Sequence, residues 1–488
     1  MFVCAQRFVC QLLVVLVFLV GAKQVFAAGP PNVLFIAIDD LRTELGCYGV
    51  DYADSPHLDQ LAAEGTLFTN HFVQVPTCGA SRYALLTGRS PAASGALQNG
   101  AMYSGRTALN PQQQPGAQTL PELFRRSGYH TTLIGKISHT ADGRVYEYNG
   151  SGDGRDEIPL AWDDKLTPFG KWQRGWGIFF AYGQGRHRED GNGNKDLMQF
   201  SVENDDDLPD GMMASAAIEQ LKQLGNSEKP FFMGLGFFKP HLPFVAPRQD
   251  WEAVRDRNIP PPPAPGKVES AHWHKSGEFY KYASDIKKTW PLGKADALQA
   301  RRAYLACVRY VDRQVGRVLQ SLKENGLDQN TIVVVWGDHG WHLGDSAIWG
   351  KHSPFERANH SALIIRAPGV SRPGVASEAL VESIDIFPTL VDLCQPKFRA
   401  THWSLDGVSL RPLLTGTAES VKPVAISYWR DSVSIRDKDY RLIVQPAKAE
   451  KAAGVELYDI RQTPDPVQNI AESQPNIVSR MLEFLPTR

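Results

Sequence analysis

The chain has 488 residues, 42% of them apolar, enough to bury a large core and, by length, to form more than one domain. A formal net charge of −1 excludes a nucleic-acid binder that works through bulk positive charge. Six cysteines without a Cys-x-x-Cys spacing exclude a disulfide framework, a zinc ribbon and a thioredoxin motif, and no fixed-period repeat is present.

In chain order, Arg7, the apolar run Leu12 to Val20 and the small-residue signal Val25 to Ala27 read as an export leader over residues 1–27. The run is too short to span a bilayer, which takes about 20 residues, so a periplasmic or secreted protein without a stable membrane anchor is expected, or a lysosomal one in a eukaryote. Cys4 and Cys10 leave with the leader; one pair among Cys47, Cys307 and Cys394 could bridge. "NVLFIAI" (Asn32 to Ile38) reads as a buried parallel strand ending in Asp39-Asp40. A helix is expected near His57 to Gly65. Another, Leu120 to Tyr129, is stopped by Gly128 and leads into the strand "HTTLIGK". "PDGMMASAAIEQLKQLG" reads as an amphipathic helix and Lys229 to Phe238 as a second buried strand. The longest helical pattern runs to Gly326, followed by the strand Thr331 to Gly337 and a fourth strand within "HSALIIRAPG".

Strands alternating with helices predict an α/β domain around a mostly parallel sheet, here over residues 28–415. From about 416 to 488 the pattern changes to paired strands, a turn at "ELYDIRQTPDP" and a final helix, a smaller α+β subdomain. Residues 140 to 210 and 250 to 295 read as long excursions over the active face.

Ligands sit beyond the carboxyl ends of strands in such sheets. Those ends carry Asp39-Asp40, then Lys136 and His139, then Lys239 and His241, then Asp338-His339. Asp39, Asp40 and Asp338, with His339, offer hard ligands for Ca²⁺ or Mg²⁺. Arg82, Lys136, Lys239 and Lys351, with His139 and His241, could surround a tetrahedral oxyanion. Cys78 lies among Gly79, Ala80, Ser81 and Arg82. It reads either as a buried structural cysteine or as a thiolate nucleophile. Trp341 and His342, just after the Asp338-His339 pair, could line a substrate pocket.

"CGASRYALLTG" (Cys78 to Gly88) resembles the sulfatase signature Cys-x-Pro/Ala-Ser-Arg-x-x-x-Leu-Thr-Gly at every fixed position. The resemblance runs from "PNVLFIAIDDLR" through "GKISH", "FKPHLPF" and "GDHGWHLGD" to "ELYDIRQTPDPVQNIA". Within the family the pattern is similar to the iduronate-2-sulfatase branch. Lys136 and His139 are spaced Lys-x-x-His rather than Lys-x-His, and Asp338-His339 replaces Asp-Asn.

The resemblance implies an alkaline-phosphatase-like fold and hydrolysis of sulfate esters on a glycan. It implies one Ca²⁺ (Mg²⁺ as second choice) on Asp39, Asp40, Cys78, Asp338 and His339. It further implies that Cys78 is oxidised to Cα-formylglycine by a formylglycine-generating enzyme. The catalytic set it implies is Cys78, Arg82, Lys136, His139, His241 and Lys351. In that set a hydroxyl of the aldehyde hydrate, activated near Asp338, attacks sulfur. His241 with Lys351 protonates the departing sugar oxygen, and His139 deprotonates the remaining hydroxyl to expel sulfate. Two alternatives accompany this reading: a phosphonate monoesterase or phosphodiesterase of the same superfamily, and a non-catalytic carbohydrate-binding protein.

Overall fold

The computed structural model describes residues 29–446 and 454–486. The expected export leader lies outside the described residues. Among them, no helix is long and apolar enough to cross a membrane.

Eight strands form the main sheet: β1 (Asn32–Ile38), β2 (Thr66–Phe72), β3 (His130–Gly135), β4 (Asp164–Lys165), β5 (Phe231–Phe237), β6 (Thr331–Gly337), β7 (Leu363–Arg366) and β8 (Val375–Glu382). Their order is β8-β2-β7-β6-β1-β5-β3-β4. The central run β6-β1-β5-β3 is parallel throughout, and β7 is antiparallel to both of its neighbours.

The continuous apolar runs have a simple cause: both faces of the sheet are covered. Side chains alternate across a strand. Leu34, Ile36 and Ile38 of β1 join one core cluster with Met233 and Leu235 of β5 and with Val333 and Val335 of β6. Val33, Phe35 and Ala37 join the cluster on the opposite face with Phe232, Val334 and Trp336. Helices α1 (Pro56–Glu64), α4 (Pro209–Leu224) and the 31-residue α5 (Lys294–Glu324) supply the first face. Helices α2 (Cys78–Thr87), α3 (Leu120–Arg126) and α6 (Ile386–Cys394) supply the second.

A separate antiparallel meander follows: β9 (Ala425–Trp429), β10 (Ser432–Arg436), β11 (Tyr440–Val444) and β12 (Val455–Asp459). The stretch "ELYD", expected to belong to a turn, is instead most of β12. It pairs residue by residue with β11, Leu442 opposite Leu457, and the Pro-containing half alone forms the loop. One face of the meander, with Leu442, Val444 and Leu457, packs against α7 (Pro475–Leu482) through Met481. The other face carries Ile443 and Tyr458 onto Val268, Ile348 and Phe355 of the main body. A buried ion cluster crosses the same junction. Arg441 Nε lies 2.8 Å and Arg436 Nε 3.3 Å from the Glu356 carboxylate.

Candidate active site

Cys78 opens α2. Thr77 before it is extended (φ −156, ψ 139), so the chain turns sharply into the helix. Asn99 Oδ1 fixes that turn, accepting from Gly79 N (2.9 Å) and Thr77 Oγ1 (3.0 Å). A Cβ at position 79 would stand 2.1 Å from the Asn99 carbonyl oxygen, so glycine is required there. One turn on, Ser81 donates to the Asp338 carbonyl. Arg82, wholly buried, donates through Nε to Asp338 Oδ2 (2.9 Å) and through Nη1 to the carbonyls of Lys136 and Ile137. The motif arginine thus ties the ends of β6 and β3 to α2.

The four parallel strands deliver their carboxyl ends to one place. Asp39 and Asp40 follow β1, and Asp338 and His339 follow β6; all four are buried. Asp40 is left-handed (φ 61), a conformation that costs a non-glycine residue about 1–2 kcal/mol. It is held there by its N–H on Asp338 Oδ1 (3.0 Å) and by the Tyr304 hydroxyl on its carbonyl (2.8 Å). Lys136 donates to Asp39, and Lys351 Nζ lies 2.9 Å from Asp40 Oδ1 and 3.5 Å from Cys78 Sγ. Sγ also lies 3.2 Å from His339 Nε2 and 3.5 Å from Asp39 Oδ1.

Three carboxylates here face three cations. Burial pushes the Asp39 carboxyl up, but Lys136, His241, Arg82 and Lys351 together pull it well below its usual range. Burial, with Asp39 adding to it, pushes the Cys78 thiol up to about 12. The unmodified side chain is therefore a neutral thiol at pH 7, which counts against the thiolate nucleophile.

Potential ligand atoms of Asp39, Cys78, Asp338 and His339 all lie within 4.8 Å of one another, as do those of Asp39, Asp40 and His241. Asp40 Oδ2 is buried without a hydrogen-bond partner. An oxygen-rich set with an orphaned buried carboxylate oxygen suits a hard divalent cation. The carboxylate within reach of Sγ is that of Asp39 rather than Asp338, whose two oxygens are taken by Arg82 and the Asp40 amide.

His241, after β5, places Nε2 at 3.3 Å from Glu278 Oε1 and 3.8 Å from Asp40 Oδ2. Its Nδ1 is 2.6 Å from the Leu242 carbonyl, which can only accept, so Nδ1 carries a hydrogen. Burial and Lys351 lower His241 to about 4, while the carboxylates work in the opposite sense. His139, after β3, is held by its N–H on Glu157 Oε1 (3.0 Å) and leaves Nδ1 without a partner. Burial and then Lys136 keep its imidazole well below the usual range, hence neutral. Both excursions reach this face. Phe179 packs on Lys136 (4.0 Å) and on His241 (4.6 Å), Trp176 on His139 (5.1 Å), and Glu278 also approaches Lys351 (3.7 Å).

Several expected residues are placed elsewhere. Lys239 turns its ammonium onto the carbonyls of His241 (2.9 Å) and Pro243 (2.6 Å), bracing the loop instead of facing an anion. Trp341 is buried beneath Lys351, and His342 is buried against Ser353 Oγ (2.9 Å); neither is a pocket wall for a sugar. Cys47, Cys307 and Cys394 are unpaired. Glu278 and Asn99 escaped the sequence reading. Each sits in an irregular segment with no motif to mark it.

A family model described as Sulfatase matches residues 31–395, and one described as N-sulphoglucosamine sulphohydrolase, C-terminal, matches residues 337–485. The chain is 31% identical over 379 residues to a protein named Sulfatase from Formosa agariphila, covering 74% of this chain and 69% of that one. It is also 31% identical over 401 residues to iduronate 2-sulfatase of Homo sapiens, covering 79% and 68%. Among solved structures, a phosphonate monoester hydrolase from Silicibacter pomeroyi shares the fold. Its TM-score is 0.71 at 23% identity, over 93% of this chain and 94% of that one.

Proposed function

Since the chain belongs to the sulfatase family and is a sulfuric ester hydrolase, we propose that its substrate is a sulfated carbohydrate and that residue 78 acts as Cα-formylglycine. One observation carries this reading. The motif cysteine heads a helix with Sγ within 3.5 Å of His339, Asp39 and Lys351. The sugar substrate is inferred from the likeness to iduronate 2-sulfatase. The leader over residues 1–27 would export the chain.

Asp39, Asp40, Asp338, His339 and residue 78 would hold one Ca²⁺, which offsets the charge of the ester and favours a deprotonated nucleophile. The formylglycine hydrate supplies one hydroxyl to attack sulfur and a second whose deprotonation restores the aldehyde and expels sulfate, a route closed to plain serine or cysteine. Around it, Lys136, Lys351 and Arg82 neutralise the sulfate oxygens and keep Asp39, Asp40 and Asp338 aligned. His241, neutral with its hydrogen on Nδ1, would take up a second proton at Nε2, between two carboxylates and beside the ammonium of Lys351, only as the anion of the bound ester adds to them, and would pass it to the departing sugar oxygen. Neutral His139 is suited to the opposite task, taking the proton of the remaining hydroxyl.

The test pairs 4-nitrophenyl sulfate with 4-nitrophenyl phosphate and adds mass spectrometry of the peptide containing residue 78. Turnover of the sulfate, with an aldehyde at position 78, is expected. A preference for the phosphate by orders of magnitude, as for a phosphonate monoesterase or phosphodiesterase, would overturn the substrate class. An active preparation with an unmodified cysteine would overturn the formylglycine.

A further inference from the structure

Beside the site lies a cavity of about 430 Å³ whose walls include His274, Glu278, Trp349, His352, Trp429 and Arg430. It is large enough for a sugar ring and is continuous with the chemistry. Glu278 reaches both His241 (3.3 Å) and Lys351 (3.7 Å). His352 follows Lys351 and lies 3.4 Å from Thr77 Oγ1, one residue before Cys78. The cavity therefore adjoins His241, the side from which the sugar oxygen departs in the reading above.

Its outer wall comes from the C-terminal meander. Strand β9 is fixed against the segment leading to Cys78 by Ser427 Oγ on the Val73 carbonyl (2.6 Å) and Tyr428 N on the Gln74 carbonyl (2.6 Å). Trp429 then stacks on His352, ring centroids 5.2 Å apart and 19° between planes. β9 turns into β10 through two residues, Arg430 and Asp431, with Trp429 paired to Ser432. Arg430 has φ 56, so this tight turn wants glycine at its first position. His352, on the facing wall, is also left-handed (φ 57). Side chains kept in such conformations collect at ligand clamps.

Arg430 also has an unspent charge. It is exposed, its guanidinium lies 5.5 Å from the Trp429 ring and its charge reaches His274 on the same cavity, and among the described residues it forms no salt bridge to a carboxylate. An indole face beside a free guanidinium is chemistry for a sugar ring carrying an anion.

We propose that the β9–β10 turn and His352 form a subsite for an anionic saccharide unit adjoining the sulfated one, with Arg430 binding its anion. This rests on the sulfated-carbohydrate reading and extends it to an acidic oligosaccharide whose next unit is read by the C-terminal meander.

The experiment measures binding, independent of turnover. Cys78→Ala protein is titrated by calorimetry with a heparin-derived tetrasaccharide carrying 2-O-sulfated uronate, alone and combined with Arg430→Gly, Arg430→Asn or Trp429→Ala. Glycine and asparagine suit the turn, so the Arg430 variants are expected to melt no lower than the parent. The expected result is a Kd weakened about tenfold or more by each variant, the loss of one charged hydrogen bond or one stacking face. A carboxyl-reduced tetrasaccharide identifies the anion. If the Arg430 variants then bind like the parent, the anion is the carboxylate; if the difference persists, it is a second sulfate. Either outcome upholds the subsite. A Kd unchanged within twofold in the variants, or no binding to the parent, overturns it. Failure of the sulfatase reading is seen separately, as absence of 4-nitrophenyl sulfate turnover by the unsubstituted enzyme.

Discussion

Replacing Cys78 with alanine removes Sγ from His339, Asp39 and Lys351 but leaves the bonds that hold α2: Gly79 to Asn99, Ser81 to the Asp338 carbonyl, Arg82 to Asp338. The expected outcome is loss of turnover with an unchanged melting temperature; near-normal activity would remove residue 78 from the mechanism. Asp338→Ala should act twice. Metal content by elemental analysis should fall, and stability should drop by about 2–4 kcal/mol because buried Arg82 loses its hydrogen-bonded carboxylate and keeps only Asp39, 3.8 Å away. Unchanged metal content would count against this ligand set. The residues that follow buried strands were legible in the sequence because strand ends converge whatever the loops do. Lys239 was not, because its flexible stem lets the ammonium turn back to carbonyls two and four residues on. Glu278 and Arg430 were not, because their placement depends on how long loops and a distant meander pack.

At the scale of elements, α1 has no side-chain cap of its own. Its first amides are met from across the core by Asp312 of α5, which accepts from Leu58 N (2.8 Å) and His57 N (3.2 Å). One turn along α5, a Cβ at Gly316 would lie 2.4 Å from the His57 ring. Alanine there gains about 1 kcal/mol of helix propensity but forces α1 away from its cap, and overpacking of this kind costs about 1–3 kcal/mol. Gly316→Ala is expected to lower stability in urea unfolding; a rise would show that α1 shifts freely. Helices and strands of the main sheet were legible because two-faced burial writes unbroken apolar runs and α5 writes a long amphipathic one. Strand β12 was not, since the loop that carries Pro464 and Pro466 follows it directly and a five-residue edge strand leaves little periodic signal.

Over the whole molecule, burial keeps several histidines besides His139 neutral: His71, His342 and His352 are lowered to about 3, His241 and His360 to about 4. A histidine lowered on folding contributes stability that is complete above its unfolded value near 6.5 and is lost as pH falls below it, about 1.4 kcal/mol per unit each. Buried carboxyls act in the opposite sense: Asp312 and Asp385 are raised to about 7 and about 6, and Asp210 and Glu157 are raised as well, so the net pH dependence of stability mixes both and the imidazoles must be read one by one. The ring protons of His71 and His342 should therefore show no titration by NMR between pH 7.5 and pH 5; a midpoint near 6.5 would show that these imidazoles become charged in the folded protein. The cluster of Glu356 with Arg436 and Arg441 has a consequence for how the chain can be divided. Glu356 belongs to the segment just after Lys351, and both of its arginines come from the meander. A fragment ending near residue 415 would strand that carboxylate in an apolar junction, expose Ile348 and Phe355, and strip Trp429 from the face of His352. The tail is thus a keystone: a nonsense mutation far downstream of every metal-ligand candidate would be as damaging as one that strikes the cysteine itself.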